Sequence, residues 1–216
     1  MDKLNLAIQF ATQKHSMQFR KKTTIPYIVH PIEVMQILRD NGASIDAQIA
    51  GVLHDTVEDT NTTYQEIADL FGTKIANMVG IETEKKGIPY RERKFEHMMR
   101  VKKATREEKM VNCADKLSNL RSIYIDLKTN GESTWDKFNA PKQDIMWYYG
   151  LAIKVFEDIS DTKMYKQLVT YYDRVFKTKD AQEESLVNVQ NLETQKNFWY
   201  MFIQKTNLYK VLNLYR

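Results

Sequence analysis

Apolar residues recur along this chain at intervals of three and four, the spacing that lays a stripe down one face of an α-helix. Leu4, Ile8 and Ala11 do so within residues 2–15, and Ile32, Met35 and Leu38 do so in the next periodic segment. That segment opens at His30-Pro31, where a proline in the first turn loses no hydrogen bond, and stops at Asn41-Gly42. A third helix is predicted from Ser44 or Asp46, with Ile45, Ile49, Val52 and Leu53 turned inward and His54 and Asp55 delivered at its far end. Thr63 with Glu66, and Thr105 with Glu108, have the spacing of capping boxes. The second of these opens a long helix whose buried stripe is Met110, Val111, Ala114, Leu117, Leu120 and Ile123. Further helices are predicted to begin at Pro89, Pro141 and Asp161-Thr162. Gln18 to Tyr27 departs from the pattern. It is basic and contains Pro26, which predicts a loop or a short β-hairpin near residues 20–28.

Composition agrees with an all-α chain: 216 residues hold seven glycines and four prolines, too few for a turn-rich sheet protein. The length suits one domain with an appendage. The polar stretch from Lys177 to Glu184 sets the boundary, giving a body at 1–178 and a carboxyl-terminal helical extension at 179–216. That extension is aromatic and amphipathic, with Phe198, Trp199 and Tyr200 near its middle. It is expected to pack on the body or, in a homo-oligomer, on another copy. The net charge of +4 comes from interspersed acids and bases, which argues against a nucleic-acid-binding tract. No apolar run approaches the roughly 20 residues that span a bilayer. Cys113 is the only cysteine and no basic-then-apolar segment precedes Leu4, so a reducing cytoplasm is the expected compartment.

Chemistry concentrates at Gly51 to Thr60, where an apolar helix runs into His54, Asp55, Glu58 and Asp59. Carboxylates at a helix C-terminus oppose the negative end of the macrodipole, so a bound cation is the partner to look for. His30, His54, Asp55 and Asp115 each fall at the end or inner edge of a predicted helix. Together they form a mixed nitrogen and oxygen set suited to a first-row divalent ion with open positions. Asn119 lies one turn beyond Asp115 on the same face and can reach the same ligand, whereas Arg121 is expected to pair with an acid. Glu58, one turn past His54, can orient or deprotonate a water without binding the ion. There is no glycine-rich phosphate loop, so any bound phosphate has to be held by side chains and metal.

The order His, His-Asp, Asp is the signature of HD phosphohydrolases. Its neighbouring words, His15-Ser-Met-Gln18-Phe-Arg20-Lys21, Pro26-Tyr27-Ile28-Val29-His30-Pro31, Leu53-His54-Asp55-Thr56-Val57-Glu58-Asp59-Thr60, Glu92-Arg93-Lys94 and Ala114-Asp115-Lys116-Leu117-Ser118-Asn119-Leu120-Arg121, resemble the hydrolase domain of RelA/SpoT-type alarmone enzymes, including the small stand-alone hydrolases. The resemblance spans about residues 2 to 177. It implies an HD-domain helical bundle that removes the 3′-pyrophosphate of (p)ppGpp, usually with manganese. By the same resemblance His30, His54, Asp55 and Asp115 hold the metal, and Glu58 and Asp59 flank the attacking water. Arg20, Lys21, Arg93 and Lys94 neutralise the pyrophosphates, and Asn119 touches the nucleotide. Two departures stand out. Lys22-Thr23-Thr24-Ile25 replaces the family's Asp-Gly turn and is one residue longer, and Ser118 stands where a larger residue is common.

Rival expectations share much of this pattern. An HD hydrolase of another nucleotide or of a phosphorylated nicotinamide cofactor would use the same metal chemistry. A non-catalytic nucleotide-sensing module would not need Glu58 and Asp59. The aromatics among residues 145–149 include a candidate nucleotide contact, but periodicity does not choose among them.

Overall fold

The computed structural model describes residues 2–82 and 87–176. The extension at 179–216 lies outside the described residues. Among those described, ten α-helices follow one another: α1 (Lys3–Lys14), α2 (Val29–Asp40), α3 (Ile45–Leu53), α4 (Thr56–Asp59), α5 (Tyr64–Phe71), α6 (Thr73–Glu82), α7 (Tyr90–Lys102), α8 (Arg106–Asn130), α9 (Lys142–Val155) and α10 (Lys163–Phe176). Two 3₁₀ turns, Gly131–Lys137 and Glu157–Ile159, bend the chain on either side of α9. No described helix is long and apolar enough to cross a membrane. The segment near 20–28, expected as a loop or a short hairpin, is a loop closed by one antiparallel bridge between Phe19 and Pro26. The proline ring removes the donor that a longer ladder would need.

Local chemistry explains the helix ends. The Asp2 carboxylate caps α1 by accepting from the Leu4 and Asn5 amides, and Ser44 caps α3 by accepting from Ala47. Thr105 and Glu108 form a complete capping box at the start of α8. At Thr63 the side chain accepts from the Glu66 amide at 3.1 Å. Gly42, with φ of 70°, lets α2 turn back into α3 within four residues, a conformation that a side chain would strain.

That turn positions the site. Running α2 and α3 as an antiparallel pair brings the first turn of α2, with His30, beside the last turn of α3, with His54. α8 packs across both helices. Leu38, Ile49, Leu53, Leu117 and Leu120 are fully buried between them, and a side chain of this size contributes roughly 1.5–3 kcal/mol on burial. Ile45 is the exception to the predicted inward face of α3. It occupies the first helical position and is 55% exposed.

Candidate active site

His30 Nε2 and His54 Nε2 lie 3.2 Å apart. Asp115 Oδ1 is 3.1 Å from the first and 3.6 Å from the second, and Asp55 Oδ2 is 3.5 Å and 2.9 Å from them. His30, His54 and Asp115 are all buried, and one ligand atom from each fits within a 4.8 Å cluster. The His54 tautomer follows from its other nitrogen: Nδ1 is 2.8 Å from the Gly51 carbonyl oxygen, which can only accept. When His54 gives up its second proton it therefore does so at Nε2, which then presents a lone pair to the cluster. Two imidazole nitrogens and two carboxylates facing one point fit a divalent cation.

The charges are consistent with a cation-seeking site. Burial lowers the pKa of His30, despite the opposing pull of Asp115, and keeps its ring neutral. Burial has the same sense at His54 but is outweighed by Asp55 and Asp115, so this imidazole holds a proton well above its ordinary range. Burial disfavours ionisation of Asp55, yet the His54 charge and hydrogen bond hold it below the carboxylate range. For Asp115 burial is overcome chiefly by the Lys116 ammonium, with which it pairs, and then by the two histidines. A divalent ion can take the place of the His54 proton without new donors.

His30, Asp55 and Asp115 of the cluster line a cavity of about 630 Å³, with His54 buried beside them. Glu58 and Asp59, from the single turn α4, reach the same cavity. Burial and the neighbouring Asp55 raise the Asp59 pKa, while a hydrogen bond from Tyr27 lowers it. The Tyr27 hydroxyl lies 2.8 Å from Asp55 Oδ2 and 3.0 Å from Asp59 Oδ2, joining Asp55 to the acidic pair. Its ring sits 4.9 Å from that of His15 and 5.6 Å from the Arg20 guanidinium. His15 in turn fixes Gln18, whose amide nitrogen donates to the Asp59 carbonyl oxygen at 2.7 Å.

Most expected phosphate-binding residues reach the cavity. Arg20 Nη2 donates to Asn119 Oδ1 at 2.8 Å, and Asn119 Nδ2 donates to Asp115 Oδ1 at 2.6 Å. Lys21 and Lys94 line the same space, Lys94 with its ammonium 4.7 Å from the Tyr148 ring centre. Arg93 is not among the lining residues, and its guanidinium lies over Tyr90 instead. Successive helix residues are about 100° apart, so α7 turns Lys94 inward and Arg93 aside. On α9 the lining residues are Ile145, Tyr148 and Tyr149, one face at three and four spacing, while Trp147 packs near Arg91.

Sequence reasoning assigned no role to Tyr27, Lys116, Glu33 or Tyr90, all of which line the cavity. Tyr27 stood inside a recognised word, and its partner Asp59 is 32 residues away. Arg121 does pair with an acid, its Nη1 3.0 Å from Glu33 Oε1.

With this geometry the chain can be set beside known proteins. Residues 7–145 match the HD domain family, and the chain belongs to it. It is 38% identical over 159 residues to a Xenopus tropicalis protein named guanosine-3′,5′-bis(diphosphate) 3′-pyrophosphohydrolase MESH1, an alignment covering 72% of this chain and 84% of the relative. The Homo sapiens protein of the same name is 40% identical over 120 residues, covering 54% of this chain and 67% of the relative. A solved metazoan ortholog of SpoT, described as hydrolysing ppGpp, superposes with a TM-score of 0.66. It is 28% identical, and the match covers 81% of this chain and 96% of the other.

Proposed function

We propose that this chain is a metal-dependent pyrophosphohydrolase that removes the 3′-pyrophosphate of (p)ppGpp, leaving GDP or GTP. The observation carrying this reading is the His30, His54, Asp55 and Asp115 cluster beside a cavity that Glu58, Asp59, Arg20, Lys21 and Lys94 also line. The relatives named for that reaction supply the substrate class.

His30, His54, Asp55 and Asp115 would hold the ion, with Mn²⁺ the species expected. A divalent ion in such a site supplies a more acidic water and offsets negative charge developing on phosphorus. Glu58 and Asp59 orient that water and take its proton, the role for which a carboxylate near but outside the ligand set is suited. Tyr27 holds the Asp59 carboxylate against Asp55, so the acid keeps one orientation. The cations of Arg20, Lys21 and Lys94 neutralise the pyrophosphate groups through charge-assisted hydrogen bonds. Asn119, held between Arg20 and Asp115, contacts the nucleotide, and the partner is thus a small-molecule alarmone.

Incubation of the protein with ppGpp, with and without Mn²⁺, followed by anion-exchange separation, tests the assignment. GDP and pyrophosphate in equal amounts are expected only with metal. Intact alarmone, or single phosphates released in place of pyrophosphate, would sink it.

A further inference from the structure

From His30 Nδ1, the ring nitrogen that does not face the ligand cluster, runs a second line of polar side chains. His30 Nδ1 lies 2.8 Å from Ser118 Oγ, and that hydroxyl lies 2.8 Å from Glu33 Oε2. Glu33 Oε1 accepts from Arg121 Nη1 at 3.0 Å, and Arg121 Nη2 donates to Gln167 Oε1 at 3.0 Å. Helical spacing builds this line. Glu33 is three residues after His30 on α2, and Arg121 is three after Ser118 on α8, so two short pairs face each other across the helix contact.

Proton count fixes its direction. Ser118 has one hydroxyl hydrogen and two neighbours that can accept it. Glu33, paired with Arg121, is an ionised acceptor and makes the stronger, charge-assisted bond. The hydroxyl hydrogen then points to Glu33, and the Ser118 oxygen can only accept from His30, which places a hydrogen on Nδ1. A competing acceptor sits on the other edge of the ring, where Asp115 Oδ1 is 3.1 Å from Nε2. A hydrogen drawn there would block the nitrogen that faces the cluster.

We propose that Ser118 and Glu33 are positioning residues that hold the His30 ring in its Nδ1–H form and leave the Nε2 lone pair facing the metal site. This rests on His30 being a ligand in the proposed function. Ser118 is fully buried in the α2–α8 contact, out of reach of solvent that could compete for its hydroxyl. It gives His30 the service that the Gly51 carbonyl gives His54. The two histidines thus present matching nitrogens by different means, one through backbone and one through a side-chain relay.

The test uses Ser118→Ala and Glu33→Gln, with folding checked by circular dichroism. Glu33 is only partly buried, so Glu33→Gln serves even if Ser118→Ala does not fold. In metal-free protein labelled with ¹⁵N-histidine, wild-type His30 should show a protonated Nδ1 and a bare Nε2. Ser118→Ala should move the hydrogen toward Nε2. Affinity for Mn²⁺, read by competition with a fluorescent chelator, should fall roughly 10- to 100-fold in the Ser118 variant, the usual loss for an outer partner of a ligating histidine. The double variant should lose no more than the weaker-binding single one, because both act through one relay. An unchanged His30 tautomer, or Mn²⁺ affinity within twofold of wild type in both variants, overturns the proposal while leaving the hydrolase reading intact. A wild-type protein that binds Mn²⁺ and spares ppGpp does the reverse.

Discussion

Replacing Tyr27 with Phe removes one oxygen atom, and that atom joins two parts of the site. It lies within 3.0 Å of both Asp55 Oδ2 and Asp59 Oδ2, while the ring it leaves behind stays packed against His15 and beneath Arg20. The substitution therefore opens no large cavity, and its effect is that of the lost hydrogen bond. Burial, then Asp55 and Asp59, push the phenol pKa up, so the hydroxyl remains a donor throughout the working range. A hydrogen bond to a charged acceptor contributes about 1.5–3 kcal/mol. Without it Asp55 and Asp59 lose the hydroxyl that ties them together, and Asp59 loses the fixed orientation that the proposed role requires. If the interaction matters chiefly in the transition state, kcat should fall roughly 10- to 150-fold, at about 1.4 kcal/mol per factor of ten. Because the hydroxyl is directed at the two acids, KM should move less than twofold. Steady-state release of pyrophosphate from ppGpp at saturating Mn²⁺ measures both constants. A kcat within threefold of wild type would refute the bridging role. So would a raised KM with kcat unchanged, which would mean that Tyr27 binds substrate and does not position Asp59.

Other outcomes follow from the same geometry. A Cβ added to Gly51 would lie 2.5 Å from Leu38 Cδ1 and 3.2 Å from Val34 Cγ1, so Gly51→Ala forces the buried Leu38 side chain out of its place between α2 and α3. Overpacking of this kind costs roughly 1–3 kcal/mol, against about 1 kcal/mol of improved helix propensity. Urea titration should show a loss of up to about 2 kcal/mol, and a more stable variant would contradict the packing. Mn²⁺ at about a hundred times its Kd should stabilise the fold by about 2.7 kcal/mol. For a domain of this size that is a Tm rise of roughly 5–11 °C, reversed by EDTA; an unmoved Tm would count against a site in the folded chain. Cys113 is fully buried and its thiol is pushed far above the ordinary range, chiefly by that burial. It should resist an aromatic disulfide reagent at pH 8 until denaturant is added, since only the thiolate reacts; fast labelling of the native protein would show that α8 opens.

What was legible in the sequence depended on how local each signal is. The helices announced themselves through periodicity and caps, and the HD words marked His30, His54, Asp55 and Asp115 before any geometry was known. The α9 face was within reach of the same logic, since Ile145, Tyr148 and Tyr149 share helical spacing, but that spacing does not say which face meets the cavity. Arg93 and Lys94 are adjacent cations in one word, and only the rotation of α7 separates them. Ser118 sits inside a recognised word, yet its partners Glu33 and His30 lie 85 and 88 residues away. The short hairpin was anticipated as a form that Pro26 then restricted to a single bridge.

The base of the 18–27 loop is tied twice, by the Arg20 amide to the Ile25 carbonyl at 2.8 Å and by the Tyr27 amide to the Gln18 carbonyl at 2.9 Å. Lys22, at its tip, takes a left-handed φ of 56°, a conformation that costs a non-glycine residue roughly 1–2 kcal/mol. Arg20 and Tyr27, which face the chemistry, sit at the tied base, whereas Lys22 and Thr24 sit beyond it. The loop is thus pinned at both ends: its tied base fixes the two side chains that face the cavity, and its tip reaches the turn after α8, where Lys22 Nζ donates to the Asp136 carbonyl oxygen at 2.9 Å.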